Sequence, residues 1–232
     1  MLDFAQFEWL SFDCYGTLVD WQTGILGYMQ SLLERKGRFL SDGELLNFYS
    51  EFEPRAQSGP YRSYREVLSA VVRDFGRELR FPVTPTDAAG LADSIAGWEP
   101  FPDTVPALQR LKRRYKLAIL SNIDDDLFAY SARKLEVSFD CVLTAQRSRS
   151  YKPSVENFRA LLRRLGVPQN RLLHVAESLF HDVAPARRLA IATVWVNRRQ
   201  GSPAASKLAP ASPDLEVRDL SELAELVTPA PC

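Results

Sequence analysis

Five residues in this sequence carry side chains that could do covalent chemistry together. Asp13 follows the apolar run around Trp9, Leu10 and Phe12. Ser121 and Asn122 follow the run 117–120. Lys152 stands between Tyr151 and Pro153, and Asp182 lies a few residues beyond the run 172–175. An acid at the end of a first strand has three uses: nucleophile, metal ligand or turn cap. A carboxylate nucleophile needs a neighbouring cation to stay ionised, and an ammonium within about 4–6 Å favours the charged form. Lys152 can supply that cation, while Ser121 and Asn122 offer hydrogen bonds to a substrate anion. Each residue alone has a plainer explanation. Ser-Asn after a strand is a common turn, and a lysine before proline is often a solvated loop residue. His174, inside an apolar run, reads as a satisfied core histidine. His181 is balanced between a helix start and a site residue. Thr17 is a turn residue or a hydroxyl close to the site.

What turns separate residues into a set is the order of the elements. After residue 98 short apolar runs alternate with helical patterns. Strands are expected at 117–120, 140–143, 172–175 and 193–196, with an edge strand at 215–217. Helices are expected from near 103, at 125–135, 155–165 and 182–189, and a short last one opens at Asp219 with Glu222. This alternation predicts an α/β fold with a Rossmann-like, doubly wound parallel sheet. In such a sheet Asp13, Ser121, Lys152 and Asp182 gather at one edge. Residues 21–98 differ: apolar positions recur at helical spacing and no strand stands out. Ser41 with Glu44 and Ser63 with Glu66 read as capping boxes. Pro82 and Pro85 break the pattern before a helix over 87–96. The expected organisation is a core of residues 1–20 and 99–232 and a helical cap subdomain of residues 21–98. Residues 201–213 read as a loop.

Composition narrows the function. The chain has 232 residues, 46% hydrophobic, with 29 basic against 29 acidic side chains. No global field argues for nucleic acid or a membrane surface. The Lys112–Arg114 run reads as a solvated helix end. No apolar stretch approaches transmembrane length, and the N-terminus lacks the pattern of a signal peptide. Cys14, Cys141 and Cys232 show no close spacing and imply reduced thiols in a cytoplasmic protein. Strand alternation points Cys14 away from the face of Asp13.

The stretch DCYGTL resembles the first motif of the haloacid dehalogenase (HAD) superfamily, whose hydrolases use an Asp nucleophile. Ser121-Asn122, YKP at 151–153 and HVAESLFHD at 174–182 resemble the three later motifs, in order. The resemblance spans nearly the whole chain and is nearest to the type II 2-haloacid dehalogenase branch. It implies that Asp13 attacks, that Ser121 and Asn122 bind substrate, and that Lys152 positions the nucleophile, with no cofactor. Tyr15 separates this branch from the phosphatases, which carry an acid there to protonate a departing alkoxide. A halide needs no such help. The expected reaction is therefore hydrolysis of small 2-haloacids through an aspartyl ester, with Tyr15 and Thr17 beside the substrate.

Two departures stand out. Related dehalogenases carry an early cap arginine, and here Arg55, Arg62 or Arg65 are the substitutes on offer, Arg55 first. The fourth motif has Glu177 and Asp182, which with Asp13 resemble the Mg²⁺-binding acids of HAD phosphatases. A Mg²⁺-dependent small-molecule phosphatase is thus the alternative, and a catalytically degenerate binding module the second. A phosphonate-cleaving relative uses a cap lysine, and Lys36 is the one lysine of residues 21–98. The expected partner is a small anionic substrate. Related enzymes are often dimers, which leaves a homodimer open.

Overall fold

Strand β1 (Trp9–Phe12) is buried along its whole length. It lies at the centre of a six-stranded, all-parallel sheet in the order β3-β2-β1-β4-β5-β6. The other strands are β2 (Lys116–Ser121), β3 (Cys141–Thr144), β4 (Leu172–Ala176), β5 (Ala192–Val196) and β6 (Leu215–Val217). The computed structural model describes residues 2–198 and 211–227. Most of the expected 201–213 loop, and Cys232, lie outside them.

The expected doubly wound α/β sheet is present, with each strand boundary within about two residues of its expected place. Two apolar layers flank it, as period-two alternation requires. Leu10, Phe12 and Cys14 join Leu117, Ile119, Leu173 and Val175 on one side. Trp9 joins Ala118, Leu120, Phe158 and Leu172 on the other. Cys14 therefore turns away from Asp13, and Cys14 and Cys141 are buried free thiols. The strand order reverses between β1 and β4, and the crevice outside the strand ends at such a point is where open α/β sheets bind ligands.

Four helices separate β1 from β2: α1 (Trp21–Arg35), α2 (Asp42–Gln57), α3 (Tyr64–Glu78) and α4 (Pro85–Ser94). Both expected capping boxes are present, Ser41 with Glu44 and Ser63 with Glu66. Pro85 does not break this last helix but opens it, behind the N-cap Thr84. Proline lacks only an N–H that the first turn leaves unbonded anyway.

The sheet-side helices are α5 (Thr104–Lys112), α6 (Asp125–Lys134), α7 (Ala145–Ser148), α8 (Val155–Leu165), α9 (Ala184–Arg188) and α10 (Leu220–Val227). Gly166 ends α8 in the left-handed conformation, with φ +68°. The helix expected from Asp182 begins earlier. Leu179–Val183 forms a wide π-helical turn capped by Ser178, and α9 continues it. The N–H groups of Asp182 and Val183 both donate to the Ser178 carbonyl. No helix among the described residues is long and apolar enough to cross a membrane.

Candidate active site

At the end of β1 the chain turns sharply through Tyr15 and Gly16. Gly16 takes φ +98°, and a Cβ there would stand 2.8 Å from Trp21 Nε1, so the turn excludes a side chain. Arg198 secures the turn from below. Its guanidinium donates twice to the Thr17 carbonyl, at 2.9 and 2.8 Å, and pairs with Asp103.

Asp13 emerges from that turn into a charge network. Lys152 Nζ donates to Asp13 Oδ1 at 2.8 Å, to Asp182 Oδ1 at 2.6 Å and to the Leu120 carbonyl at 2.9 Å. All three ammonium protons are thus engaged. Thr17 Oγ1 donates to Asp13 Oδ2 at 3.2 Å and accepts the Glu177 N–H at 2.9 Å. Lys152 and Asp182 are almost wholly inaccessible, at 2% and 1% exposure.

His174 extends the network. It is paired in register with Ser11 across β1 and β4. Its Nδ1 meets Ser11 Oγ at 2.8 Å and its Nε2 meets Asp182 Oδ1 at 2.9 Å. An ionised Asp182 can only accept, so Nε2 carries a proton towards it, while Nδ1 is held by the Ser11 hydroxyl. His174 is indeed a satisfied core histidine, yet it also orients a site carboxylate. Nothing in its apolar sequence surroundings signals that second task. The signal is positional: it shares the sheet face of Ser11 and Asp13.

The two acids share one ammonium but titrate differently. Burial pushes the Asp13 carboxyl above its ordinary range; Lys152 pulls it back, and the charge of Asp182 pushes it further. Burial also acts against ionised Asp182, but Lys152 and His174 together hold its carboxyl below the ordinary range. For Lys152, burial disfavours the charge and the two carboxylates outweigh it, so the ammonium is held above ordinary lysine.

A cavity of about 90 Å³ opens over this network. That is well above the roughly 10–15 Å³ one water needs on this measure, so the cavity has room for a small molecule. Asp13, Tyr15, Ser121, Asn122, Lys152, Glu177 and Asp182 all line it. The sheet therefore brings together the expected set except for two members. Thr17 lies just behind, bonded to Asp13. Arg55 is elsewhere: it is exposed, paired with Glu51 and laid over Phe52. Helical spacing turns it outward from α2 while its neighbours face in. Arg62 donates to the Ala56 carbonyl, and Arg65 pairs with Asp93 and Asp126. Lys36, the candidate lysine, pairs with Asp87 at 2.7 Å. No arginine is among the cavity-lining residues described.

Other expected residues have sharper roles than their types suggested. Asn122 accepts the Lys152 N–H at 2.7 Å and donates to the Lys152 carbonyl at 3.0 Å, so its amide first fixes the loop that carries the ammonium. Ser121 Oγ and Asp182 Oδ2 are buried with no hydrogen-bond partner among the described residues. Buried polar atoms are normally paired, so a hydroxyl and a carboxylate oxygen stand ready for a ligand or a water. Tyr15 directs its hydroxyl to Ser131 Oγ at 2.9 Å, and burial pushes its phenol well up. It is a poor proton donor.

The acids expected as a Mg²⁺ set do not fit that use. Among the described residues no three acidic, histidine or cysteine side chains are grouped to hold a metal ion. Asp13 and Asp182 instead converge on the Lys152 ammonium.

The far wall of the cavity comes from the helices. Trp21, Glu53 and Tyr64 line it. Tyr64 donates to Glu53 Oε1 at 2.8 Å, and Tyr49 meets the Tyr64 hydroxyl at 3.2 Å. The start of α3 is fixed by Asp124, whose carboxylate accepts the N–H groups of Tyr64 and Arg65, each at 3.0 Å. Tyr151 adds a second tie, donating to the Arg62 carbonyl at 2.9 Å. The loops that bring in Ser121 and Lys152 thus also anchor the opposite wall. Sequence reasoning missed Glu53, Tyr64 and Asp124.

Comparison with known proteins points one way. A profile of the haloacid dehalogenase-like hydrolases matches residues 8–189. The (S)-2-haloacid dehalogenase of Pseudomonas sp. (strain YL) is 26% identical over 220 residues, covering 94% of this chain and 93% of that protein. Haloacetate dehalogenase H-2 of Moraxella sp. (strain B) is 24% identical over 197 residues, covering 82% and 86%. The structure of an L-2-haloacid dehalogenase from Xanthobacter autotrophicus, with chloropropionic acid covalently bound, aligns with a TM-score of 0.78 at 23% identity. That alignment covers 95% of this chain and 98% of the other.

Proposed function

The chain belongs to the haloacid dehalogenase-like hydrolases, and from that premise we propose that it hydrolyses the carbon–halogen bond of small 2-haloacids with Asp13 as nucleophile. The observation that carries this reading is the Lys152 ammonium shared between Asp13 and Asp182 beneath a small cavity.

One oxygen of Asp13 attacks the halogen-bearing carbon. A carbon–oxygen bond forms as the carbon–halogen bond breaks, and the halide departs with the bonding pair. The product of this step is an ester of Asp13. Lys152 and Thr17 hold the carboxylate in line, and Ser121 Oγ offers a hydrogen bond to the substrate's own carboxylate. Water then attacks the Asp13 carbonyl carbon. Asp182 Oδ2, buried and unpartnered among the described residues, accepts the water proton. That proton passes to the departing alkoxide, giving a 2-hydroxyacid, and the water's second proton leaves to solvent as Asp13 returns to its carboxylate. In this scheme residues 21–98 form a cap that closes the cavity and sets the substrate.

Tyr15 supports halide over phosphate ester. An alkoxide leaving in the first step needs a general acid, and a high-pKa phenol engaged by Ser131 is not one. A halide needs none. The scheme requires no metal or organic cofactor.

The test is halide release from 2-chloro- and 2-bromoacids in the presence of EDTA, beside Asp13→Asn. Release by the unaltered protein, lost at least about 10³-fold in the variant, is the expected result. Turnover of phosphate esters that needs Mg²⁺, with no halide release, would replace this reading with a phosphatase. Tight binding of small acids without any turnover would point to a degenerate site.

A further inference from the structure

The cavity carries its acids on both walls. Lys152, the one lysine or arginine among the described lining residues, has all three protons committed to Asp13, Asp182 and Leu120. Opposite stands Glu53, a carboxyl that plays no part in the displacement. It is half-buried on α2, accepts from Tyr64 and lies beside Tyr49. A carboxylate has about four acceptor positions, and the Tyr64 and Tyr49 hydroxyls take two of them.

A plain alkyl substrate pressed against that wall would strip water from the carboxylate and return nothing. Leaving a buried polar group unpaired is costly. A site built to bond a substrate O–H or N–H therefore rejects the analogue that lacks it far more strongly than an apolar pocket rejects a misfit. The unpartnered Ser121 Oγ, 3% exposed, supplies the complementary end of the cavity, where an anion is received. Donor at one end and acceptor at the other define the orientation of a short, two-ended molecule.

Resting on the dehalogenase reading, we infer that Glu53, positioned by Tyr64, is the specificity-determining residue of this site. It selects 2-haloacids whose third carbon bears a hydrogen-bond donor, a hydroxyl or an ammonium, over plain alkyl 2-haloacids. Burial holds the Glu53 carboxyl above its ordinary range although the two phenols pull it down, and an approaching ammonium would favour its charged form. Asp124 bears on the same selection at one remove, because it fixes the turn from which Tyr64 projects.

The experiment compares near-isosteres: 2-chlorobutyrate, 2-chloro-3-hydroxypropionate and 2-chloro-3-aminopropionate. Halide release is measured as kcat/KM for the unaltered protein, Glu53→Gln, Glu53→Leu and Tyr64→Phe. The unaltered protein should prefer the hydroxyl or amino substrate over 2-chlorobutyrate by about 10- to 100-fold, and the two arms show whether the donor is neutral or charged. Glu53→Leu should bring all three within about threefold. Glu53→Gln should keep a preference for the hydroxyl and lose one for the ammonium. Equal turnover of the three by the unaltered protein, or a preference unchanged in Glu53→Leu, would overturn the inference. Near-ultraviolet circular dichroism of each variant reports folding. Binding separates this inference from the reaction itself. If no substrate releases halide, the dehalogenase reading falls. Calorimetry with 3-hydroxypropionate, 3-aminopropionate and butyrate then decides the role of Glu53 alone: tighter binding of a donor-bearing acid, lost in Glu53→Leu, upholds it, and equal binding removes it.

Discussion

On the sheet side of the cavity, Asp13, Lys152, Asp182 and His174 are buried and bonded to one another. On the helical side, Glu53 is half-buried, holds Tyr64, and depends on a helix end pinned by Asp124. Both walls carry acids, but they do different work. The sheet side keeps opposite charges at fixed positions inside the protein, where a one-sided change leaves a charge stranded. The helical side presents a carboxyl that lines the cavity and takes no part in the sheet-side network. In the proposed reading the strand ends set the reaction type and the helices the choice of substrate.

Breaking the sheet side should have the largest effect. Lys152→Met leaves two buried carboxylates without their cation. It is expected to cost roughly 3–5 kcal/mol of stability, read from urea unfolding, and to remove halide release. Equal stability of the variant would mean that the pair of ion pairs does not hold this wall.

The anchor between the walls comes next. Asp124→Ala frees two backbone N–H groups at the start of α3. A loss of about 1–2 kcal/mol is expected, together with a fall in kcat/KM that is larger for donor-bearing substrates than for alkyl ones. A uniform fall across substrates would detach Asp124 from Tyr64.

The pH dependence sharpens the contrast more gently. In the proposed reaction Asp13 attacks as a carboxylate, and burial holds its carboxyl above the ordinary range. The acid limb of kcat/KM should therefore lie above that of a free aspartate. Thr17→Val removes a bond to the charged form and should move the limb higher still. Asp182 contributes the opposite sign to stability. Its folded carboxyl is held low, so its contribution is complete above the unfolded value and is lost as pH falls through the folded one. A stability profile flat through that acid range would contradict the assignment.

The smallest effect is expected at Arg55. The residue is exposed and paired only along its own helix. Arg55→Ala should change stability by less than about 0.5 kcal/mol and leave halide release within twofold. A large loss would return Arg55 to the site.

The same contrast explains what could be read from the sequence. Asp13 and Ser121 sit at the ends of apolar strands, and Lys152 and Asp182 in the connections that β3 and β4 lead into; a parallel sheet gives such residues one edge to occupy. Position along the chain was enough. The helical wall has no such rule. A helix presents a face, and Arg55 and Glu53, two residues apart, point to solvent and cavity respectively; charge and spacing do not say which. Tyr64 followed a correctly read capping box, but its neighbour across the gap, Asp124, is 60 residues away. His174 was legible as core and illegible as a partner of Asp182, because its bond depends on the π-helical turn that brings Asp182 inward.

The central claim is that Asp13 itself becomes esterified, and isotope labelling tests it directly. The protein would turn over a 2-haloacid in ¹⁸O-enriched water, with enzyme in excess for one turnover, followed by mass measurement of the peptide bearing Asp13. Attack of water on the ester carbonyl predicts heavy oxygen in Asp13 and a first-turnover hydroxyacid whose new hydroxyl carries ordinary oxygen. Heavy oxygen in the product hydroxyl with none in Asp13 would mean that water, not the carboxylate, displaces the halide.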